Sequence, residues 1–269
     1  MNAAMAAGDF QPTKSADRVC QLLAALAEHG SMTHAEIAQR LSIPKSSVTG
    51  LINTLEAHHF IARDESGRRY MLGPQILTLA QQYMAGLDLA RIGQPVVDEL
   101  MRESGESTAL SIASGPDIVV VAKANCDQPL QRTMQLGERA PMYATAGGKA
   151  ILAFLPPAEI ERLVPKDLPP VTPRTLKSRR ALLKELAEIR AGQLAYSREE
   201  LIPGIFAVGV PVLGAHGAPV ASLSVAVPSV RFTPKHEAHI AAAMRRAADT
   251  LSGRFGYRKA KVPGAKHAA

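Results

Sequence analysis

The sequence predicts an α+β protein of two parts, in which a small helical unit with one hairpin precedes a larger domain of mixed strands and helices. Two observations support this fold class. Over residues 15–58, apolar residues recur at spacings of three and four, as on the buried face of a helix. Beyond residue 108, stretches typical of paired strands alternate with helical stretches. At about 100–200 residues per domain, the 269 residues are enough for two domains.

Three helices are predicted at the start of the chain. The first begins at Ser15, a residue type favoured at N-caps, and ends near Gly30, which can adopt the left-handed conformation of a helix end. The second follows Thr33, because Thr33 and Glu36 have the spacing of a capping box. The third begins near Pro44, because the N–H groups in the first turn of a helix have no partner within the helix and a proline there removes no hydrogen bond.

A β-hairpin is predicted directly after these helices. Residues 60–63 and 68–72 form two short strand-like stretches around a Ser-Gly turn. Three helices followed by a hairpin make a winged helix-turn-helix, which we assign to residues 15–73. Residues 1–14 are predicted to be disordered, and residues 74–88 to form a linker helix.

The larger domain is predicted over residues 89–253. Pro95 is expected to open its first helix. The remaining helices are predicted over 145–155, 178–191 and 233–251, and the strands over 108–113, 118–124, 194–197, 207–213 and 219–227. A basic tail, residues 254–269, is predicted to be disordered.

Composition excludes some classes of protein and leaves the function open. The net charge is +7, but residues 1–75 hold seven basic and seven acidic side chains, whereas residues 254–269 hold five basic ones and no acid. Charge alone therefore does not identify a nucleic-acid-binding domain.

No run of about 18 apolar residues predicts a membrane span, and the N-terminus does not resemble a signal peptide, so a cytoplasmic location is expected. Cys20 and Cys126 fit no metal or disulfide framework.

The helix-turn-helix pattern predicts binding to double-stranded DNA, because a tight turn between two short helices presents the second to the major groove. Hydroxyl and cationic side chains at the start of that helix suit phosphates and base edges, and wing arginines can reach a minor groove. The alternative is a winged helix used only for protein contacts, and the absence of acidic residues from Leu41 to Leu55 favours DNA. The candidate DNA contacts are Ser15, Arg18, Thr33, Pro44, Lys45, Ser46, Ser47, Thr49, Asn53, Arg68 and Arg69.

Several motifs do not support catalysis or metal binding. Residues 146–149 lack the glycine and the hydroxyl that a phosphate-binding loop requires. His236 and His239 are three residues apart, whereas the metalloprotease motif needs four. Glu199 and Glu200 are adjacent, so in extended chain they point in opposite directions. We therefore predict no catalytic residue, no metal and no cofactor.

Three blocks of the sequence, in order, carry a family pattern. The blocks are MTHAEIAQRLSIPKSSVTGLINTLEAHHFIARDESGRRYMLGPQILTLA, QPLQRTMQLGERAPMYATAGGKAILAFLP and SREELIPGIFAVGVPVLGAHGAPVASLSVAVP. The helix start PKSSV, the segment NTLEAHHF and the ending YMLGP are the specific parts of the first block. Together the blocks resemble the IclR family of bacterial transcriptional regulators, over about Ser15 to Ser252.

The resemblance implies a GAF-like sensor domain, dimers or dimers of dimers, and a small-molecule effector that is carboxylated, aromatic or apolar. The implied effector site lies against the sheet, where small residues admit a ligand and backbone N–H groups suit an anion. Close packing alone would also explain the small residues. The candidate effector contacts are Ala146, Gly147, Gly148, Ser197, Ala207, Ser222 and Ser224.

Three positions depart from the family pattern. Gly50 stands where the family often has an arginine, Ser197 where it often has an acid, and Ala207 where it often has a cysteine. We therefore expect a less polar pocket and a larger or more apolar ligand. The predicted function is a metabolite-controlled transcriptional regulator, acting as a repressor. The alternatives are a constitutive DNA-binding protein with a degenerate sensor, and an enzyme acting on the metabolite. The basic tail would either add non-specific DNA affinity or serve only solubility.

Overall fold

The computed structural model describes residues 12–86 and 88–258 of the chain. The chain divides into two compact units, Met1–Gly86 and Leu87–Ala269. Within the described residues, no helix is both long enough and apolar enough to span a membrane.

The first unit is a winged helix-turn-helix, as predicted. Its elements are α1 (Lys14–His29), β1 (Ser31–Thr33), α2 (His34–Leu41), α3 (Lys45–Ala57), β2 (Ile61–Arg63), β3 (Arg69–Leu72) and α4 (Pro74–Gly86). The hairpin is joined by a third strand, β1, that the sequence did not indicate. The sheet therefore has the order β1-β3-β2, with Met32 opposite Tyr70.

The periodic apolar residues of the three helices form the core of this unit. Leu22, Leu26, Ile37, Val48 and Ile52 are all buried and belong to one cluster. Burying side chains of this size stabilises a fold by about 1.5–3 kcal/mol each. The hydrophobic pattern of the sequence therefore predicted this core correctly.

One predicted boundary in this unit is wrong. Helix α1 begins at Lys14, because the Asp17 N–H donates to the Thr13 carbonyl at 3.0 Å; Thr13, and not Ser15, is the N-cap. Lys14, predicted to be disordered, is therefore helical, and residues 1–11 lie outside the described part. The predicted linker helix is described up to Gly86, and residue 87 lies outside the described part.

The second unit is built on one antiparallel sheet of six strands, packed with helices. The elements are α5 (Asp88–Ser104), β4 (Ser107–Ser114), β5 (Asp117–Ala124), β6 (Arg139–Pro141), α6 (Ala146–Leu152), α7 (Pro157–Leu163), α8 (Arg179–Arg190), β7 (Ala195–Arg198), β8 (Ile205–Leu213), β9 (Pro219–Pro228) and α9 (Pro234–Arg254). The strand order in the sheet is β6-β5-β4-β9-β8-β7. Helices α5 and α9 contact this sheet and each other, while α6 contacts β7, β8 and β9.

Alternation along β9 separates the two faces of the sheet. Leu223 and Val225 are fully buried, and Ser224 between them is half-buried. Because successive side chains of a strand point to opposite faces, Ser224 shares its face with Ser222 and Ala226. The predicted orientation of Ser224, opposite to its two apolar neighbours, is therefore confirmed.

Pro95 does not open a helix, as was predicted, but lies inside α5. A proline in a helix removes one backbone hydrogen bond and costs about 3 kcal/mol. The residues that follow it, Val96, Val97 and Leu100, are 4, 0 and 1% exposed. Burial of these three side chains offsets the cost of the proline, which the local sequence could not reveal.

The end of the chain also differs from the prediction. Helix α9 continues to Arg254, and the residue pair Gly214 and Gly256 forms an isolated β-bridge. Residues 254–258 are therefore ordered, contrary to the prediction of a disordered tail from residue 254. Residues 259–269 lie outside the described part.

Candidate nucleic-acid interface and ligand cavity

A tight turn presents helix α3 to its surroundings. Ser42 ends α2 in the left-handed conformation, with φ of 52°, and the Ile43 N–H donates to the Ala38 carbonyl at 3.2 Å. Pro44 is the N-cap of α3, and its carbonyl accepts from the Ser47 and Val48 N–H groups. These bonds fix the angle between α2 and α3.

One side of α3 is buried against the core, and the other carries the predicted DNA contacts. Pro44, Lys45, Ser46, Thr49 and Asn53 are exposed, whereas Ser47 is half-buried. Within residues 12–86 and 88–258, the side chains of Lys45, Ser46 and Asn53 have no hydrogen-bond or ion-pair partner. Their donors and acceptors are therefore available to another molecule.

The Thr49 hydroxyl is already engaged. It donates to the Lys45 carbonyl at 3.1 Å, and His34 Nε2 lies 3.0 Å from the same oxygen. The methyl group of Thr49 remains as its free surface. The Thr49 methyl group can therefore still make an apolar contact with DNA, such as a contact with a thymine methyl group.

The remaining N-terminal candidates differ in exposure and in their own bonds. Ser15 is exposed and Arg18 half-buried on α1. The predicted capping box is confirmed: Thr33 Oγ1 accepts from the Glu36 N–H at 3.3 Å, and Glu36 Oε2 accepts from the Thr33 N–H at 2.7 Å. Thr33 therefore has a structural role at the start of α2.

The turn of the wing is organised by Asp64. Its Oδ1 accepts from the Arg68 and Arg69 N–H groups, each at 3.1 Å, and the Ser66 hydroxyl donates to it at 2.9 Å. The backbone N–H of Arg69, followed by the Ser66 hydroxyl, lowers the pKa of the Asp64 carboxyl. The ionised carboxylate thus stabilises this turn at neutral pH.

The two wing arginines are not equivalent. The Arg69 guanidinium donates to Ser31 Oγ at 3.0 Å, to the Ser31 carbonyl at 2.8 Å and to Glu36 Oε2 at 3.2 Å. This side chain holds the wing against β1 and α2, a role that the sequence did not indicate. Arg68 is exposed, and its side chain has no partner in the described part of the chain.

The second unit encloses a cavity on the face of the sheet that carries Ser224. Its empty volume, open mouth included, is about 640 Å³. The walls are mostly apolar, with four hydroxyl residues and one pair of opposite charges. The lining residues are Ala109, Ser111, Ile118, Val120, Arg132, Met134, Glu138, Ala140, Thr145, Ala146, Gly147, Ser197, Leu201, Ile202, Ile205, Ala207, Ser224 and Ala226.

Five of the seven predicted effector contacts line this cavity: Ala146, Gly147, Ser197, Ala207 and Ser224. The structure brings them together from α6, β7, β8 and β9, which are distant in sequence. The predicted location, between the start of α6 and strands β8 and β9, thus coincides with the cavity.

Gly148 and Ser222 do not line the cavity, contrary to the prediction. The Gly148 N–H donates to Thr145 Oγ1 at 3.1 Å, and a Cβ atom at Gly148 would lie 2.3 Å from Met142 Cα. This glycine serves close packing. Ser222 is fully buried beneath Gly147, with its Oγ 2.8 Å from where a Gly147 Cβ would stand.

The hydroxyls of the cavity differ in whether they are already bonded. Ser197 Oγ donates to the Ala144 carbonyl at 2.8 Å. Thr145 Oγ1 accepts from Gly148 and lies 3.2 Å from the Pro141 carbonyl. Neither hydroxyl therefore has a proton left for a ligand. In the described residues, Ser111 and Ser224 make no such side-chain bond.

The charged pair in the wall is Arg132 and Glu138. The Arg132 guanidinium donates to a Glu138 carboxylate oxygen and to the Thr133 carbonyl. Because the two charges neutralise each other, the wall is polar there without net charge. Neither residue was predicted as a site residue, and neither belongs to a sequence motif that would have identified it.

A buried ion cluster lies behind the start of α6. Lys149 is fully buried, and its Nζ lies 2.7 Å from Glu185 Oε2, 2.8 Å from Glu200 Oε1 and 3.0 Å from the Tyr196 carbonyl. Burial raises the pKa of Glu200, and the charge of Lys149 opposes this rise. The cluster joins α6 to the segment before Leu201, which lines the cavity. A lysine within the apolar run GGKAILAFL was the sequence signal for it.

The two adjacent carboxylates, Glu199 and Glu200, have separate partners. Glu200 pairs with Lys149, while Glu199 forms a 3.6 Å ion pair with Arg174, so the two carboxylates do not act on one site. Among the residues described, no group of three or more His, Cys, Asp or Glu side chains could hold a metal ion.

An exposed recognition helix with a wing, on the same chain as a separate domain that contains a largely apolar cavity, defines a DNA-binding transcriptional regulator with a sensor domain. The family models agree with this class. The IclR helix-turn-helix domain matches residues 15–65, and the C-terminal domain of the bacterial transcriptional regulator IclR matches residues 81–253. The chain belongs to the IclR family, whose named relatives are regulators and not enzymes.

Individual relatives agree over most of their length. The HTH-type transcriptional regulator Rv1719 of Mycobacterium tuberculosis is 37% identical over 228 residues, which cover 84% of this chain and 86% of the relative. The crystal structure of the Thermotoga maritima IclR has a TM-score of 0.73 at 27% identity, covering 91% and 99% of the two chains. An IclR homolog from Microbacterium hydrocarbonoxydans, solved with 4-hydroxybenzoate, has the same fold, with a TM-score of 0.78 at 20% identity, covering 90% and 98%.

Proposed function

We propose that this regulator binds an operator through α3 and the wing, and that a small molecule in the cavity of its C-terminal domain controls this binding. The observation that carries the proposal is the set of unpartnered side chains on the exposed side of α3. Lys45 suits a phosphate, and the Asn53 amide suits an adenine edge in the major groove. Arg68 on the wing supplies a further cation for the backbone or the minor groove.

The protein is proposed to act as a homodimer or a dimer of dimers. Helix α4 supports this, because Leu77 and Leu79 are 62% and 49% exposed on it. A surface helix that carries several apolar side chains offers a second chain an apolar surface to cover. A dimer with two-fold symmetry binds two half-sites spaced by a whole number of turns, about 34 Å each.

The effector is proposed to be a carboxylate or an aromatic or apolar metabolite. The walls support an apolar body, because alanine, valine, isoleucine, leucine and methionine side chains make up most of the lining. The small walls at Ala207 and Gly147 leave room for a ring. The homolog solved with 4-hydroxybenzoate shows that this fold can hold an aromatic acid.

We propose repression as the mode of action, because a dimer on promoter DNA excludes other proteins from it. The test begins with selection of bound DNA from fragmented genomic DNA and footprinting of the fragments. Two protected half-sites and a dimer in light scattering are expected. A monomer that still protects DNA would contradict the dimer, and no protected sequence would contradict operator binding.

Control by a ligand is tested separately. Small acids and aromatic compounds are screened for a shift in thermal midpoint, and each hit is then added to the operator complex. A hit that changes operator affinity is expected. If hits bind without changing DNA affinity, the protein is a constitutive regulator with a degenerate sensor. If a hit is chemically converted, the enzyme alternative gains support.

A further inference from the structure

We propose that His34 is a positioning residue for the reading of DNA. By holding the Thr49 hydroxyl, it keeps the Thr49 methyl group turned toward the major groove, where this methyl selects a thymine at one base pair of each half-site. The inference rests on the proposed function, because it concerns the base that the middle of α3 reads. It adds a residue outside the recognition helix and a base that the operator requires.

The first observation is that two partners hold the Thr49 hydroxyl. Thr49 Oγ1 donates to the Lys45 carbonyl at 3.1 Å, and His34 Nε2 lies 3.0 Å from the same oxygen. A hydroxyl has one proton, so His34 Nε2 is the donor of the second bond. A threonine in a helix otherwise divides between two rotamers. The bond from His34, which lies at the start of α2, therefore selects one of them.

The second observation is that the middle of α3 offers only carbon atoms to the groove. Thr49 is exposed, but the proton of its hydroxyl is already used, so the methyl group is its free part. The next residue, Gly50, is also exposed and has no side chain. A Cβ atom added at Gly50 would meet no heavy atom of the described residues within 4 Å. A methyl group beside open backbone therefore forms this part of the surface.

The third observation is the position of this apolar part on the helix. Ser46, Thr49, Gly50 and Asn53 have the spacing i, i+3, i+4 and i+7, which places them along one face of α3. Ser46 and Asn53 are exposed and carry polar side chains suited to base edges. The Thr49 methyl thus lies between two polar side chains, on the face that we propose to enter the major groove.

An apolar group at this place selects a thymine. Base pairs present hydrogen-bond donors and acceptors in the major groove, and thymine adds a methyl group to them. A donor or acceptor of another base would lose its water against the Thr49 methyl without gaining a hydrogen bond, which is unfavourable. The missing side chain at Gly50 leaves room for the thymine methyl close to the helix backbone.

The test compares thymine with uracil, which differ by this methyl group alone. The probe is a double-stranded fragment that the full chain selects from genomic DNA, with the thymines of its protected half-sites replaced one at a time by deoxyuridine. Dissociation constants are measured by fluorescence anisotropy. At one position of each half-site, we expect about fourfold weaker binding, as for the loss of one buried methyl group.

The outcomes of this comparison are distinct. Equal binding of every uracil fragment would overturn the inference and leave operator binding in place. Failure to select any fragment would count against both. Thr49→Ser keeps the hydroxyl and removes the methyl, so it should bind the thymine and uracil fragments equally. A Thr49→Ser protein that still prefers thymine at that position would also overturn the inference.

Variants of His34 then test its positioning role. His34→Ala should lower the fourfold preference for thymine to less than twofold. His34→Phe keeps a ring and removes the N–H, and it should do the same. His29→Ala, at the end of α1, is the matched control and should retain the preference. Full preference for thymine in both His34 variants would overturn the inference.

A rescue separates positioning from a merely structural role of His34. Valine carries a methyl group on both branches, so Thr49→Val presents a methyl to the groove without help from a partner. His34→Ala/Thr49→Val should therefore recover the preference for thymine that His34→Ala loses. A double variant without this preference would show that His34 supports the helix-turn-helix as a whole, and it would overturn the inference.

Discussion

Replacement of Lys149 by methionine tests how the wall of the cavity is held together. Methionine keeps the unbranched chain of lysine as far as the terminal nitrogen, and it removes the charge that holds Glu200. Glu200 is 6% exposed, so its carboxylate would stay buried without a cation. Loss of one partner of a buried ion pair costs about 3–5 kcal/mol. This is a large part of the free energy of unfolding of a typical protein, which is about 5–15 kcal/mol. Glu185 adds little to this cost, because its side chain is 37% exposed and water can solvate its carboxylate.

The effect of Lys149→Met should depend on pH. Burial already raises the pKa of Glu200, and loss of Lys149 removes the charge that opposes this rise. A carboxyl with a raised pKa in the fold stabilises it most below its ordinary pKa of 4.5, and this stability is lost as pH rises through the folded value. The variant should therefore be more destabilised at pH 8 than at pH 5.

Hydrogen exchange of the full chain, followed by mass spectrometry, measures this effect in the C-terminal unit separately from the N-terminal unit. Lys149→Met/Glu200→Gln should recover part of the loss, because no buried charge remains. Lys184→Met is the matched control: its side chain is 82% exposed, and the change should cost less than about 0.5 kcal/mol. A Lys149→Met protein within about 1 kcal/mol of the unmodified one at both pH values would refute the reasoning.

Four further predictions concern DNA and ligand. Lys45→Ala should weaken binding to all DNA sequences and lower by about one the slope of the logarithm of the binding constant against the logarithm of salt concentration. Asn53→Ala should cost about 1–3 kcal/mol of operator-binding free energy and relax the preference at one base pair. Unchanged operator affinity in both variants would show that α3 does not contact the DNA. Ala207→Leu should fill the cavity and abolish the response to a confirmed effector, with operator affinity unchanged; a normal response would place the sensor site elsewhere. In an NMR titration the Asp64 carboxyl should titrate below its ordinary pKa of 3.8. The stability that its hydrogen bonds add should be present above pH 3.8 and disappear as pH falls through the pKa of the folded state. An ordinary pKa for Asp64 would contradict the hydrogen-bonded turn. Truncation after Arg258 removes Lys259, Lys261 and Lys266, and it should make non-specific DNA binding less salt-dependent without altering base preference; an unchanged slope would assign the tail to solubility.

The structure changes how two of these experiments are designed. A substitution at Gly147, the obvious way to fill the cavity, would press on Ser222 and disturb packing, so Ala207 is the better position. Truncation of the tail must begin after Arg258, because Arg254 belongs to α9 and Gly256 bridges to Gly214.

The sequence by itself determined the features that depend on local patterns. Helix periodicity placed Leu22, Ile37 and Val48 in one core, and the capping box at Thr33 and Glu36 formed as predicted. The small residues of the C-terminal unit indicated the position of the cavity. The core and the cap follow from spacing along the chain, because a helix face is defined within about ten residues. The position of the cavity was predicted with the help of the family resemblance, since its walls come from elements far apart in sequence.

Only the tertiary structure decided which side chains are free and which are bonded. The sequence treated Arg68 and Arg69 as equivalent, yet Arg69 reaches Ser31, 38 positions earlier in the chain. It grouped Gly148 with Gly147, although only Gly147 faces the cavity. Ser111 was not predicted as a site residue, and it lines the cavity only because β4 lies beside β9 in the sheet. Such contacts join residues far apart in sequence, and hydrogen-bond partners are settled only when the fold brings them within about 3 Å.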